Sequence, residues 1–439
     1  MGLFADRTRL GTPEMTGTVH QRSEFPVMSV HNVAWWRIAI VALCAAWWLQ
    51  KLPWTTPERQ WDFNVYYYGA QAWRAGLDPY APTSLPRTLS EGGFKFNYPP
   101  YALGLFAPFT LVSLHRAAQL YLAMKAMALA ALIAVWTRLL RASVIDPVWV
   151  LFLIFAYSST IFVDFASGSI TTVEQLLIWT GVAALLKGRS RLYVAAVVAA
   201  SLLRLTPIVL LLPGLAAARD RRGSRPVAGG VAAFAGVFLL AWALSPRLTV
   251  AFFHSVPKNY GERGWLNPAL LPLVVDAMSL ITRAIAAPLN RIVVLTAYAI
   301  AAAGIALPTA VMVRRVARSQ AANRMEVIVY LVFLGTALVL PRFKNYSYML
   351  LIVPTWYIAT RSTAISRALP LLLVACLPVY SWITRPASLD LAANYSSWLI
   401  AFGAWSLYLY ELSCGTLLLP EAVAAAIEHR TAHAAAASR

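Results

Sequence analysis

The run "AWWRIAIVALCAAWWLQKLPW" (34–54) decides the fold class. From Ile38 to Leu49 it is uninterrupted apolar sequence. At about 1.5 Å of rise per residue, a helix over the whole of 34–54 reaches across a hydrocarbon core of roughly 30 Å. Lipid offers backbone groups no hydrogen-bond partners, so a helix, which satisfies its own, is the expected form. Comparable runs recur near 98–114, 117–138, 147–164, 170–187, 190–215, 226–244, 267–285, 291–313, 325–341, 345–360, 367–384 and 395–418. Some of these are expected to be half-helices.

Composition agrees with the runs. A chain of 439 residues that is 59% hydrophobic and 13% charged, with a mean hydropathy of +0.62, is not a soluble globule. The reading is an all-α polytopic integral membrane protein with about 11–13 membrane helices. The formal charge of +19 is dispersed through short loops between the apolar runs. It therefore reports orientation, and no nucleic-acid partner is expected.

The basic segments "LLKGRSRLY" (185–193), "RDRRGSR" (219–225) and "RRVARSQAANR" (314–324) are assigned to the cytoplasm. Two conflicts follow. Both ends of the 190–215 run are basic, and Pro207 lies within it, so a re-entrant or broken helix is expected there. Arg138 and Arg141 fall outside on a simple count, so one element between Tyr98 and Leu140 is expected not to cross. Residues 1–33, with Arg7, Arg9 and Arg22, read as a cytoplasmic N-terminal tail before an uncleaved anchor. Residues 34–418 form the membrane domain, 55–97 its first extracytoplasmic loop, and 419–439 an Ala-rich cytoplasmic tail.

That first loop contains "WDFNVYYYGAQAWRAGLDPYAP" (61–82). Thr56 as N-cap, Pro57 and Glu58 suggest a helix from there to Gly76. On it Asp62, Tyr66, Gly69 and Trp73 share a side. Such a helix is expected along the membrane interface, where Trp and Tyr rings anchor. Asp62 reads either as a cap or solvated charge, or as a functional carboxylate. Of eighteen acids, Asp62, Asp78, Glu91, Glu262 and Asp390 are outer-loop candidates, while Asp164 and Glu174 sit at or inside apolar runs. Asp78 precedes Pro79 and suits an Asx turn, which leaves Asp62 as the best general base.

Familiar catalytic signatures are missing: there is no Walker loop, GxGxxG, HExxH, paired CxxC or DxD, and the six histidines are scattered. Cys44, Cys376 and Cys414 make no disulfide or metal pattern. No metal and no cofactor are expected.

The loop, taken with "FNYPPYALGLFAPF" (96–109), resembles the first-loop signature of glycosyltransferase family 87, of the GT-C class. "LLRLTPIVLLLPGL" (202–215) is similar to a family segment with a basic residue three before Pro, Arg204 standing where Lys is usual. "ASGSITTVEQL" (166–176) takes the place of a Gly-Gln-x-Asn-like stretch, from which Ser169 and Thr171 depart. "LPRFKNYSYML" (340–350) lacks the histidine pair of many relatives.

The resemblance implies a polyprenyl-phosphate-sugar donor, a lipid or glycan acceptor, contact with membrane lipids, and an active site facing outward from the bacterial cytoplasmic membrane. It also implies a catalytic acid at Asp62 and transfer of a hexose, with mannose favoured. The donor already has a good leaving group, so one base for the acceptor suffices, together with cations for the departing phosphate. Candidates are Arg342, Lys344, Lys258, Arg263 and Lys95, each of which reads alternatively as a residue snorkelling to headgroups. Tyr66, Tyr67 and Tyr98, with Trp73 and Trp265, are candidates for stacking on sugar or lining a lipid groove. An arabinofuranosyl transferase would use the same machinery. A lipid-linked sugar transporter would instead predict repeated broken helices, and the first-loop pattern occurs once.

Overall fold

The computed structural model describes residues 35–418, apart from 55, 57–58, 92, 144–145, 218–220, 257–260, 285–287, 363–364 and 377–386. Both tails and Lys258 therefore lie outside the described residues. Every regular element among those described is helical, as an all-α polytopic membrane protein requires. Among the described residues, four helices are long and apolar enough to cross a bilayer: Leu114–Leu140 (α5), Pro147–Ser167 (α6), Gly223–Leu244 within α10 (Arg221–Leu244), and Arg291–Arg318 (α13). The helices between them in this numbering are α7 (Thr171–Leu186), α8 (Ser190–Leu203), α9 (Leu212–Ala217), α11 (Pro246–Ser255) and α12 (Leu270–Ala284). Those before are α1 (Trp35–Lys51), α2 (Trp61–Arg74), α3 (Arg87–Glu91) and α4 (Pro100–Phe106). Those after are α14 (Arg324–Val339), α15 (Ile352–Arg361), α16 (Ile365–Ala375), α17 (Ala387–Asn394) and α18 (Ser396–Ser413).

The core sits around α14, buried continuously from Val327 to Gly335, which packs against α13, α15 and α18. A helix apolar all round belongs in such a place. On α10 and α13 the apolar residues instead face outward, Leu239, Leu244, Ile292 and Ile300 among them. In a membrane those faces meet lipid.

Both topological conflicts have physical answers. Pro100–Leu111 is a short α-helix continued by a 3-10 turn, about 20 Å long and so too short to cross. The 190–217 segment doubles back. α8 ends where Arg204 turns extended (φ −146°, ψ 143°), and a 3-10 turn, Thr206–Leu211, begins with Pro207 near its start. The Tyr193 hydroxyl donates to the Leu210 carbonyl seventeen residues on, a pair that a straight helix would hold about 25 Å apart. Gly214 lies so close to Tyr193 and Val227 that a Cβ there would come within 3.4 Å and 3.1 Å of their side chains. This hairpin carries Arg204 at its tip, and α10 meets the start of α8 through Gly230 and Val194, which leaves Lys187 and Arg225 at its base.

α6 is broken once, at Ala156–Ser159, where Tyr157, Ser158 and Ser159 take left-handed φ of 52° to 60°. Such residues cost about 1–2 kcal/mol each. Buried hydrogen bonds offset part of this, from the Thr160 hydroxyl to the Asn345 carbonyl (2.7 Å) and between Tyr157 and Thr355.

Candidate active site

The helix that bears Asp62 starts later than the sequence suggests. α2 begins at Trp61, and Gln60 stands at its N-cap without a side-chain cap bond. Pro57 and Glu58 lie outside the described residues. Tertiary docking sets the start, because Gln60 and Phe63 pack on the α6–α7 corner at Gly168 (φ +68°), where a Cβ would lie 2.7–2.8 Å from them. The C-terminal end is as expected. Gly76 takes φ +73°, and its N–H and that of Leu77 donate to Trp73 and Ala72 carbonyls at 3.0 and 2.9 Å, a Schellman close.

Most of the α2 rings point into the protein. Phe63, Tyr66 and Tyr67 are buried. Phe63 stacks on Tyr121 with centroids 4.5 Å apart, and Tyr66 stacks on Phe106 at 4.3 Å. Gly69 admits the Phe96 ring, which a Cβ would meet at 2.6 Å. Trp73, at the far end, stays exposed. The rigid aromatic packing fixes Asp62 in the first turn of α2, where the helix dipole favours an anion.

Asp62 faces a cavity of about 330 Å³, within the usual range of small-molecule sites, roughly 300–1,000 Å³. Its lining comes from α2, residues 93–99, the 203–206 hairpin tip, Glu262, and residues 340–347. Four cations line it, Lys95, Arg204, Arg342 and Lys344, against two acids, Asp62 and Glu262, an excess of two positive charges. Oδ2 of Asp62 is shielded from solvent and has no hydrogen-bond partner. Burial pushes the Asp62 carboxyl above its ordinary value, and Lys344 and Arg204 pull it only part of the way back.

Arg204 is the most tightly held of the four. Its Nη2 donates to Ser169 Oγ at 2.7 Å and reaches Tyr98 Oη at 3.5 Å, while Nη1 donates to Thr171 Oγ1 at 2.9 Å. Glu174 lies 3.7 Å from Nη1, and the guanidinium covers the Tyr346 ring, 4.8 Å from its centroid. The two family-like segments of the sequence, 166–176 and 202–215, are thus in contact. Tyr98 in turn shares a 2.6 Å hydrogen bond with Tyr66, whose phenol burial holds in the neutral form.

Across the cavity, Glu262 takes Arg342 Nη2 on Oε2 at 2.8 Å and Lys344 Nζ on Oε1 at 3.0 Å. Burial alone would raise its carboxyl, but Lys344 and Arg342 outweigh it and leave the group below its ordinary value.

Of the candidates from sequence, Asp62, Tyr66, Lys95, Tyr98, Arg342 and Lys344 come together here. Tyr67 does not line the cavity, and its hydroxyl donates to the Val112 carbonyl at 2.9 Å. Arg263 lies away from it as well, exposed and 3.3 Å from Asp276. Asp78 makes the expected Asx turn, accepting the Tyr80 N–H at 2.9 Å. Arg204, Glu262 and Tyr346 line the cavity without having been singled out as binding residues. An arginine in mid-run is the signal that could have marked the first. Among the described residues, no group of three or more His, Cys, Asp or Glu side chains is placed to hold a metal ion.

A profile of glycosyltransferase family 87 matches residues 96–341, more than half of the chain. The chain belongs to glycosyltransferase family 87. Its activity is accordingly that of a membrane glycosyltransferase, with a sugar donor and an acceptor. The match takes in Tyr98, Arg204 and Glu262, starts after α2, and stops one residue short of Arg342. Neither a curated protein nor a solved structure matches the chain.

Proposed function

We propose that this glycosyltransferase moves a hexosyl unit, with mannose favoured on family resemblance, from a polyprenyl-phosphate sugar to a hydroxyl of a lipid or glycan acceptor. The site faces outward from the bacterial cytoplasmic membrane. Asp62 accepts the acceptor's proton while its oxygen bonds to the anomeric carbon. The bond from that carbon to the phosphate oxygen breaks, its electron pair leaves with the phosphate, and the anomeric centre inverts. Arg342, Lys344 and Arg204 hold the phosphate as charge builds on it, and Lys95 adds to the positive field.

The observation that carries this reading is that Asp62, with its Oδ2 left without a hydrogen-bond partner, lines a cavity with two excess positive charges. A carboxylate raised in basicity and left free has the form of a general base. The outward orientation is supported by the hairpin, which leaves Lys187 and Arg225 at one end while Arg204 reaches the cavity.

The test is transfer of radiolabelled mannose from polyprenyl-phosphate-mannose to lipid, in membranes carrying wild type or Asp62→Asn at matched expression. Transfer by wild type, lost by about 10²–10⁴-fold in Asp62→Asn, is expected. Equal transfer by both removes Asp62 from the role. No transfer by wild type, with activity on an arabinofuranosyl donor, replaces the hexose by a pentose. No transfer from either donor overturns the reaction.

A further inference from the structure

Glu262 carries no step in the reaction above, yet it occupies the centre of the cation pair. Its two oxygens are divided between Arg342 and Lys344 at 2.8 and 3.0 Å. The side chain is one-third exposed, so the pair faces the open cavity. Its position is braced from behind. Asn267, buried, donates to the Glu262 carbonyl at 3.2 Å and accepts the Phe343 N–H at 2.9 Å. One amide thus ties the Glu262 loop to the segment bearing both cations, and the carboxylate stays with them. One of their two positive charges is permanently offset, as Glu174 at 3.7 Å offsets Arg204, so the three cations that hold the phosphate keep a net charge of one.

The anions that visit the site differ in charge. A polyprenyl-phosphate sugar is a phosphodiester with a single negative charge. The polyprenyl phosphate left after transfer is a monoester, carrying about 1.5 to 2 negative charges at neutral pH. Two uncompensated cations would complement the monoester better than the diester, and the enzyme would hold its product more tightly than its donor. We infer that Glu262 is a built-in counter-ion that matches the Arg342–Lys344 pair to a phosphodiester and so sets release of the phosphomonoester product. It acts through the two cations and touches no reacting atom. The inference rests on the donor class proposed above.

The experiment uses the full chain in nanodiscs, with polyprenyl-phosphate-mannose as donor, or the arabinofuranosyl donor where that one is turned over. Wild type, Glu262→Gln and Glu262→Asp are compared in single-turnover and steady-state transfer, with polyprenyl phosphate as product inhibitor. In Glu262→Gln the ratio of product Ki to donor KM is expected to fall about ten-fold, the order set by one unit of charge a few ångströms away. Its single-turnover rate should hold or rise while its steady-state rate falls. Glu262→Asp, which keeps the charge, should hold the wild-type ratio. Loss of folded protein would lower both rates together, but the ratio is a property of the folded fraction and still reports the charge. If wild type turns over the donor and Glu262→Gln leaves the ratio unchanged, the inference alone is overturned. If wild type turns over neither donor, the donor class falls and the inference falls with it.

Discussion

Two ion clusters in this enzyme are built to opposite specifications. Inside the helical core, Lys125 of α5 meets Asp164 of α6 with both side chains fully buried, Nζ lying 2.8 Å from Oδ2 and 2.6 Å from the Asp164 carbonyl. Thr172 adds a hydroxyl to the same Oδ2 at 2.5 Å, and the ammonium lies over the Phe165 ring, 4.8 Å from its centroid. At the cavity rim, Glu262, Arg342 and Lys344 are all partly exposed. The first cluster is closed to solvent, whereas an incoming anion can compete for a partner in the second. The first holds α5 to the end of α6, next to the Ser169 and Thr171 hydroxyls that grip Arg204. The second is open to exchange. Burial, more than distance, separates an ion pair that shapes a protein from one that a ligand can use.

Substitutions should separate the two. Lys125→Met strands a buried carboxylate and is expected to cost about 3–5 kcal/mol of stability, read as loss of the monodisperse peak on heating in detergent. Adding Asp164→Leu should restore most of it, since removing both charges spares the desolvation. If the single variant is as stable as wild type, the core pair is not structural. At the rim the effect moves to kinetics. Arg342→Gln or Lys344→Gln should lower kcat/KM by about 10²-fold with an unchanged unfolding temperature, and an equal loss of stability would erase the contrast.

Asp62 extends the comparison to pH. Its folded carboxyl lies above the ordinary value because burial disfavours the charge, so the native state binds a proton more readily than the unfolded chain. The ionised group therefore costs stability above the folded pKa, and that cost disappears below the unfolded one. Transfer should fall with unit slope as acid protonates the base, at a pH above 3.8. Asp62→Asn should melt higher than wild type at neutral pH, with the gap closing in acid. A gap of the opposite sign would place Asp62 among the stabilising groups. The smallest effect belongs to Tyr67→Phe, which gives up one hydrogen bond to Val112, worth about 0.5–1.5 kcal/mol, and should leave transfer rates unaltered.

The parts legible in sequence are those governed by local chemistry. Gly76 closes α2 and Asp78 makes its turn because each acts on its own backbone. Basic residues at both ends of a Pro-interrupted run announced the hairpin. The start of α2 was not legible, since the contacts of Gln60 and Phe63 with Gly168 span more than a hundred residues. Nor was the choice between Tyr66 and Tyr67. Neighbours on a helix point about 100° apart, and with aromatic residues on every side nothing local says which one faces the cavity. Glu262 read as one outer-loop acid among several, because Arg342 lies 80 residues away. Lys125 carried a plain signal, a lone ammonium amid apolar sequence, and what it lacked was a visible partner.

The hairpin has a consequence for how the chain can be assembled and altered. A segment that leaves through the face it entered adds an even number of traversals, so it is neutral in the alternation that fixes the side of every later loop. An insertion machinery that retains positive loops meets no contradiction at Lys187 and Arg225, which both lie at the base of the hairpin. Shortening, lengthening or deleting 190–217 would displace Arg204 and silence the site, yet every helix from α10 onward would keep its orientation. The site's most firmly held cation thus rides on a module whose length can vary without inverting the rest of the protein.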